Sequence, residues 1–274
     1  MAYLRIQTQD FGIERRGNWM SEEGRRSGMT RELEPHSIHL KKLTKDFDGL
    51  TAVSNLDMSI SKGTLYGLIG PNGSGKTTTI KMLVGLLKAT SGEATILGEK
   101  VPIKKNIAKI SYMPQETAVY SELTVHENLE MFAGLYSMDK ESFARRENEL
   151  LSMTDLDERK DSLVSQLSGG MRHRTSLACS LIHDPEIMFL DEPTVGVDPE
   201  LRVGFWKYFS DLKAKGKTII ITTHYMDEAN RCDIVGMMRM GRLIAEGTPK
   251  ELLKSTNTPD LESAFLAFAK RTGP

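Results

Sequence analysis

From Ser37 onward the apolar residues fall into short runs separated by turn signals, and the period of each run predicts its element. Ile38, Leu40 and Leu43 are interleaved with polar residues, and Leu56, Met58 and Ile60 repeat the alternation, so both segments predict half-buried strands. Leu65–Ile69 is more continuously apolar, ends in a glycine-rich turn and leads into a helical stretch over residues 76–87. The order is strand, loop, helix. Thr124 with Glu127 three residues later is a capping-box signal for a helix through Tyr136, and the charged stretch 140–152 continues helical. Two further apolar runs, 186–190 and 218–222, predict buried strands separated by a helix starting near Pro199. Such an alternation calls for a parallel sheet with right-handed crossovers. Residues 261–269 read as a last amphipathic helix, and no internal repeat is visible.

Residues 7–35 break the pattern, with few large apolar side chains, many charges and scattered glycine. Too little surface could be buried there to offset chain entropy, and residues 1–35 are expected to be disordered. They lack the apolar core of a signal peptide, and their six Arg are matched by six Asp and Glu, unlike an acid-poor transit peptide.

Composition narrows the function classes. The 274 residues suffice for one large domain or two modest ones. Lys and Arg number 36 against 37 Asp and Glu, which leaves a net charge of −1 and a pI near 6.6. That balance disfavours a protein held to nucleic acid by bulk positive charge. The mean hydropathy is −0.33, and apolar runs such as 187–190 are a few residues long, whereas a membrane-spanning helix needs about 20. The chain is therefore expected not to cross a membrane by itself. Cys179 and Cys232 are far apart, match no metal spacing and suit a reducing cytosol.

The glycine-rich turn carries chemistry. Gly70-Pro71-Asn72-Gly73-Ser74-Gly75-Lys76-Thr77-Thr78 has two glycines at the spacing of a phosphate-binding loop, then Lys and a hydroxyl residue. Glycines permit positive φ and close backbone approach, so successive N–H groups can converge on phosphate oxygens, and the following helix adds its positive end. Lys76 can reach the β- and γ-phosphates, and Thr77 can offer its hydroxyl to Mg²⁺. By composition alone the four fixed positions would recur by accident in roughly one chain of this length in a hundred. The setting between a strand and a helix makes an accident rarer still.

A nucleotide hydrolase of this kind also needs acids at the end of a second strand. Asp191 and Glu192 follow the apolar run 187–190 and precede the rigid Pro193. Asp191 is placed to hold Mg²⁺ through water, and Glu192 to act as general base on the attacking water. His224 ends another β-rich run, in Thr222-Thr223-His224. A single His after a strand is more often structural, but beside these groups it becomes a candidate γ-phosphate contact.

Together with Leu167-Ser168-Gly169-Gly170-Met171-Arg172-His173-Arg174, placed before the strand of Asp191 and Glu192, these motifs resemble the ATP-binding cassette (ABC) ATPases over about residues 37–255. The resemblance implies an α/β P-loop NTPase fold with a mostly parallel sheet core, an N-terminal antiparallel β subdomain and an inserted α-helical subdomain. The expected organisation is a disordered extension at 1–35, the cassette at 36–255 with its helical part at about 116–183, and a helical tail at 256–274. It also implies ATP and Mg²⁺ as ligands, and a head-to-tail dimer in which Ser168, Gly169 and Gly170 of one copy face the phosphate loop of the other. Gln115 matches the family's glutamine loop at the metal, Phe47 the aromatic that stacks on adenine, and Asp198 the loop crossing the dimer interface. Met171 stands where the family most often has Gln. Since the implied contacts use a hydroxyl and the backbone, the difference is expected to be tolerated.

The family's long coiled-coil repair ATPases separate phosphate loop and signature by hundreds of residues, whereas Lys76 and Ser168 are 92 apart. Its ribosome-acting members carry two cassettes, and here there is one set of motifs. A single cassette without a spanning helix implies separate transmembrane permease subunits, a second ATPase subunit, and a peripheral place at the cytoplasmic face of a membrane. The stretches 122–129 and 241–249 are similar to the drug, lipid or polysaccharide export branch, and the short tail is unlike the long C-terminal domain of sugar importers. An importer subunit and a soluble non-transport ABC ATPase are the alternatives.

Overall fold

The computed structural model describes residues 36–271; the expected disorder of residues 1–35 lies outside them. The chain begins with two long strands, β1 (His36–Phe47) and β2 (Leu50–Ser61). Next come β3 (Leu65–Ile69), α1 (Lys76–Leu83), β4 (Ser91–Ile96), β5 (Glu99–Lys100) and β6 (Ile110–Met113). Three helices follow, α2 (Val125–Leu135), α3 (Lys140–Thr154) and α4 (Gly169–Leu181). The chain then runs through β7 (Ile187–Asp191), α5 (Pro199–Ala214), β8 (Thr218–Thr223) and α6 (Met226–Ala229). It closes with β9 (Ile234–Arg239), β10 (Arg242–Gly247), α7 (Pro249–Thr256) and α8 (Leu261–Arg271).

The first sheet is antiparallel, in the order β2-β1-β4-β5. Ile38 pairs with Ile60, Leu40 with Met58 and Leu43 with Leu56, so the alternating residues read from the sequence meet on one face. The three-residue step from Leu40 to Leu43 is a bulge around Lys42, which has φ +48°, and it returns Leu43 to the buried side. The second sheet has the order β10-β9-β3-β8-β7-β6, parallel except for β10. Its central strands β3, β7 and β8 are buried along their whole length, as expected of strands covered on both faces.

Alternate residues of these strands feed two cores. Ile187, Phe189 and Ile220 pack with Ile38, Leu40, Met58 and Ile80, between the two sheets and against α1. Met188, Leu190, Ile219 and Ile221 pack on the opposite side, with residues of the helical layer such as Leu177, Phe205 and Phe268. Helices α2, α3 and α4 pack on one another, and α3 also meets α5. The capping box of α2 forms as read: Thr124 Oγ1 accepts from the Glu127 N–H and the Glu127 carboxylate accepts from the Thr124 N–H.

Helix α1 is shorter than the predicted 76–87. It stops at Leu83 because Gly85 turns left-handed at φ +78°, with an added Cβ only 3.1 Å from Pro102. Among the described residues no helix is long and apolar enough to cross a membrane.

Candidate functional site

Parallel strands all end at one edge of their sheet, and ligands in such folds bind beyond those ends. The C-terminal ends of β3, β8, β7 and β6 lie side by side, in that order. They deliver, respectively, the loop Gly70 to Thr78, then Thr222 to His224, then Asp191 and Glu192, and, past Met113, Gln115.

The phosphate loop is shaped by steric necessity. A Cβ on Gly70 would lie 2.2 Å from the Met238 carbonyl oxygen, and one on Gly75, at φ +104°, would lie 2.6 Å from that of Ala52. The loop therefore presses against β9 and β2 where only glycine fits. The β9–β10 turn supports it from outside, with the Gly241 N–H donating to the Ser74 carbonyl at 3.0 Å. Pro71, Asn72 and Gly73 are exposed, while Ser74 is buried with its hydroxyl unpartnered. Lys76, 5% exposed, donates from Nζ to the carbonyls of Gly70 (2.7 Å) and Pro71 (3.2 Å). Burial pulls its pKa down, opposed by the carboxylates of Glu192 and Asp191. Thr77 and Thr78 are half-buried in the first turn of α1.

Asp191 is fully buried, and burial raises its pKa against the opposing pull of the Thr222 hydrogen bond and of the nearby Thr77 hydroxyl. Thr222 Oγ1 donates to Asp191 Oδ1, whereas Asp191 Oδ2 is buried without a hydrogen-bond partner. Glu192 adopts φ +56°, a strained conformation for a residue with a side chain. The Glu192 N–H holds it there by donating to the Thr222 carbonyl and hydroxyl, both at 3.1 Å. Its carboxylate is suspended between two donors: Gln115 Nε2 reaches Oε2 at 3.1 Å, and His224 Nδ1 reaches Oε1 at 3.2 Å. That bond fixes the imidazole so that Nε2 is the nitrogen left for another ligand.

The remaining predicted residues lie elsewhere. Phe47 ends β1, 43% exposed, with the Lys45 ammonium 4.8 Å from its ring centroid. It is not a buried strand-end residue. Ser168 is the exposed N-cap of α4 and accepts from the Met171 N–H at 3.2 Å. The side chain of Met171 packs on the helical core, so the cap uses its backbone alone. Gly169 is exposed, and Gly170 sits where an added Cβ would meet the Gly196 carbonyl oxygen at 3.2 Å. Asp198 is exposed at the N-cap of α5, with no side-chain capping bond.

Sequence reasoning assigned no role to several groups that hold this site. His173 Nε2 donates to the Glu192 carbonyl at 3.1 Å, and burial lowers its pKa. Thr222 ties Asp191 and the Glu192 N–H to β8. Thr222 was visible in the Thr-Thr-His run, but only the pairing of β7 with β8 shows what its hydroxyl meets.

Known proteins resemble this chain in sequence and fold. The ABC transporter family profile matches residues 53–195. A "probable multidrug ABC transporter ATP-binding protein YbhF" of Escherichia coli K12 is 41% identical over 240 residues, covering 84% of this chain; the chain spans 41% of the length of that relative. A "Nod factor export ATP-binding protein I" of Burkholderia lata is 40% identical over 249 residues, covering 86% of this chain and 82% of that protein. Among solved structures, an ATP-binding subunit of an ABC transporter superposes with a TM-score of 0.79 at 27% identity, over 84% of this chain and 98% of that one. A dimeric ATP-binding cassette bound to ADP and Pi, in a post-hydrolysis state, gives 0.71 at 27% identity, over 77% and 98%. The chain therefore belongs to the ABC transporter family, as an ATP-binding cassette.

Proposed function

We propose that this chain is the Mg²⁺-dependent ATPase subunit of an exporter. Two cassettes, two copies of this chain or this chain and a paired one, close on ATP at the cytoplasmic face of a membrane and drive separate transmembrane subunits. The observation that carries the reading is Glu192, held at the end of β7 between the Gln115 amide and the His224 imidazole and beside the phosphate loop's own strand neighbours. Export as the direction is supported by the relatives named for multidrug and Nod factor export. The balanced charge gives no reason to expect nucleic acid as a partner.

In this reading the N–H groups of residues 70–78 cradle the phosphates, and Lys76 leaves the carbonyls of Gly70 and Pro71 for the β- and γ-phosphates. Phe47 offers its free face to adenine. Asp191, Thr77 and Gln115 would hold Mg²⁺; the buried, unpartnered Asp191 Oδ2 is an acceptor that fits a cation. Among the described residues no group of three or more His, Cys, Asp or Glu could hold a metal unaided, which suits an ion that arrives with substrate phosphates and keeps several waters. When bound, it neutralises phosphate charge. Glu192 takes a proton from the water whose oxygen attacks the γ-phosphorus, the bond to the bridging oxygen breaks, and ADP and phosphate leave. His224 Nε2 steadies the γ-phosphate. Ser168, Gly169 and Gly170, with the N-terminus of α4, meet the ATP of the second subunit, and Asp198 lies at the same interface.

Glu192→Gln tests the assignment. It keeps an acceptor oxygen for the neighbouring donors but cannot take the proton, so ATP binding persists while turnover falls by about 10²–10⁴. Near-normal hydrolysis by the variant would remove Glu192 from the role.

A further inference from the structure

Four residues beyond His224, on the short helix α6, Glu228 is 2% exposed. A carboxylate is rarely buried so completely without a specific set of partners. Glu228 Oε2 accepts from Thr194 Oγ1 and from Thr223 Oγ1, each at 2.9 Å. Both hydroxyls are themselves buried. Thr194 is two residues past Glu192, and Thr223 immediately precedes His224. One oxygen atom thus joins the two loops that carry the proposed base and the proposed phosphate-contacting histidine. Thr223 Oγ1 also accepts from the Tyr225 N–H at 3.0 Å, which fixes the chain on the far side of His224. The other oxygen, Oε1, has no hydrogen bond and faces Arg202 Nη1 at 4.0 Å, on the first turns of α5 beyond Asp198. Helix α6 is backed by α8, so the carboxylate is supplied from a packed platform.

We infer that Glu228 is a positioning residue: through Thr194 and Thr223 it sets the spacing of Glu192 and His224 on which water attack depends. The inference rests on the ATPase reading above and adds a residue to it. Among the described residues, the polar partners of Glu228, which are Thr194, Thr223 and Arg202, all lie outside the phosphate loop. Its loss should therefore act on the chemical step and leave binding alone. The bridge requires an acceptor oxygen and not a charge, because both of its partners donate.

The test uses the full chain and steady-state ATP hydrolysis. Glu228→Ala, which removes the acceptor, should lower kcat by about tenfold or more with KM for ATP unchanged, since small misplacements of catalytic groups cost on that order. Glu228→Gln, which keeps an acceptor oxygen, should restore most of kcat. A merely structural glutamate would alter the melting temperature or yield of both variants without this split or this rescue. Should Glu228→Ala not fold, Thr194→Val and Thr223→Val each remove one donor. Each should lower kcat, and the double variant should lose less than the product of the two losses, because they break one bridge. An unchanged kcat in folded Glu228→Ala or in the valine variants overturns the inference while leaving the ATPase reading intact. A wild-type chain that binds but does not hydrolyse ATP overturns both.

Discussion

Gly75 is held at φ +104°, and an added Cβ would lie 2.6 Å from the Ala52 carbonyl oxygen. The turn into α1 therefore excludes any side chain on two separate grounds. Gly75→Ala must reopen the contact with β2 or shift the loop; a conformational strain of about 1–3 kcal/mol at such a position corresponds to about 5- to 150-fold in affinity. We expect ATP affinity to fall by at least about fivefold while the cooperative melt of the fold persists; titration with a fluorescent ATP analogue and a thermal melt separate the two, and unaltered affinity would show that the loop does not grip phosphate as argued. Residue identity made this loop readable in the sequence, because its four fixed positions, Gly70, Gly75, Lys76 and Thr77, each demand a particular residue type. The same holds for Asp191 and Glu192 after their strand. What the sequence does not display is Glu192 at φ +56°, or which threonine and which acid hold it there. Glu228 looks in the chain like its exposed neighbour Asp227, and only tertiary contact separates a solvated acid from a buried bridge.

Among the elements, long periodic or fully buried segments were legible, and those defined by their partners were not. Strands β3, β7 and β8 announce themselves as apolar runs, and α2 and α5 by their N-terminal signals. The hairpin β9–β10 escaped because its turn, Met240 at φ +49° and Gly241 at φ +76°, places Met where Asn or Asp is the usual marker. The four-residue edge strand β6 carries too short a pattern to read. His183, just past α4, ties that strand to the helices: its Nε2 donates to the Ile110 carbonyl at 3.2 Å, and its ring stacks on Tyr136 with centroids 3.6 Å apart. Burial, opposed by the Ile110 bond and helped by the charge of Arg146, pushes its pKa from 6.5 down to about 4. With the folded value depressed, the unfolded chain takes up the proton first as pH falls. The stability present above pH 6.5 is thus lost progressively between 6.5 and about 4, by about 2 kcal/mol after allowance for solvent screening. In urea unfolding between pH 7 and 4.5, His183→Phe, which keeps an aromatic ring against Tyr136, should lose less stability than the wild type. Parallel losses would mean that His183 does not carry this dependence.

For the whole molecule, the proposed ATPase reading turns on how a second copy would meet the site. Within one copy, Ser168 Oγ and carbonyl are engaged with the N–H groups of Met171 and Arg172, inside its own helix. The exposed N-terminus of α4 is thus free to meet a phosphate brought by a second copy, as the dimeric ADP-bound relative invites. Ser168→Asp distinguishes this use from a purely local one. Asp caps a helix about as well as Ser and suits the positive end of its dipole, so the melting temperature should stay within a degree or two. The same carboxylate would stand against the γ-phosphate of the partner's ATP, where like charges repel at close range. Made in the Glu192→Gln background, so that ATP is not consumed, the variant should bind ATP as a monomer with unchanged affinity yet fail to form the ATP-dependent dimer. Light scattering with gel filtration, with and without ATP and Mg²⁺, reads the outcome. A dimer that still assembles on ATP would place Ser168 outside the interface and would take the sandwiched-nucleotide arrangement with it, while Glu192 could keep its role within a single copy.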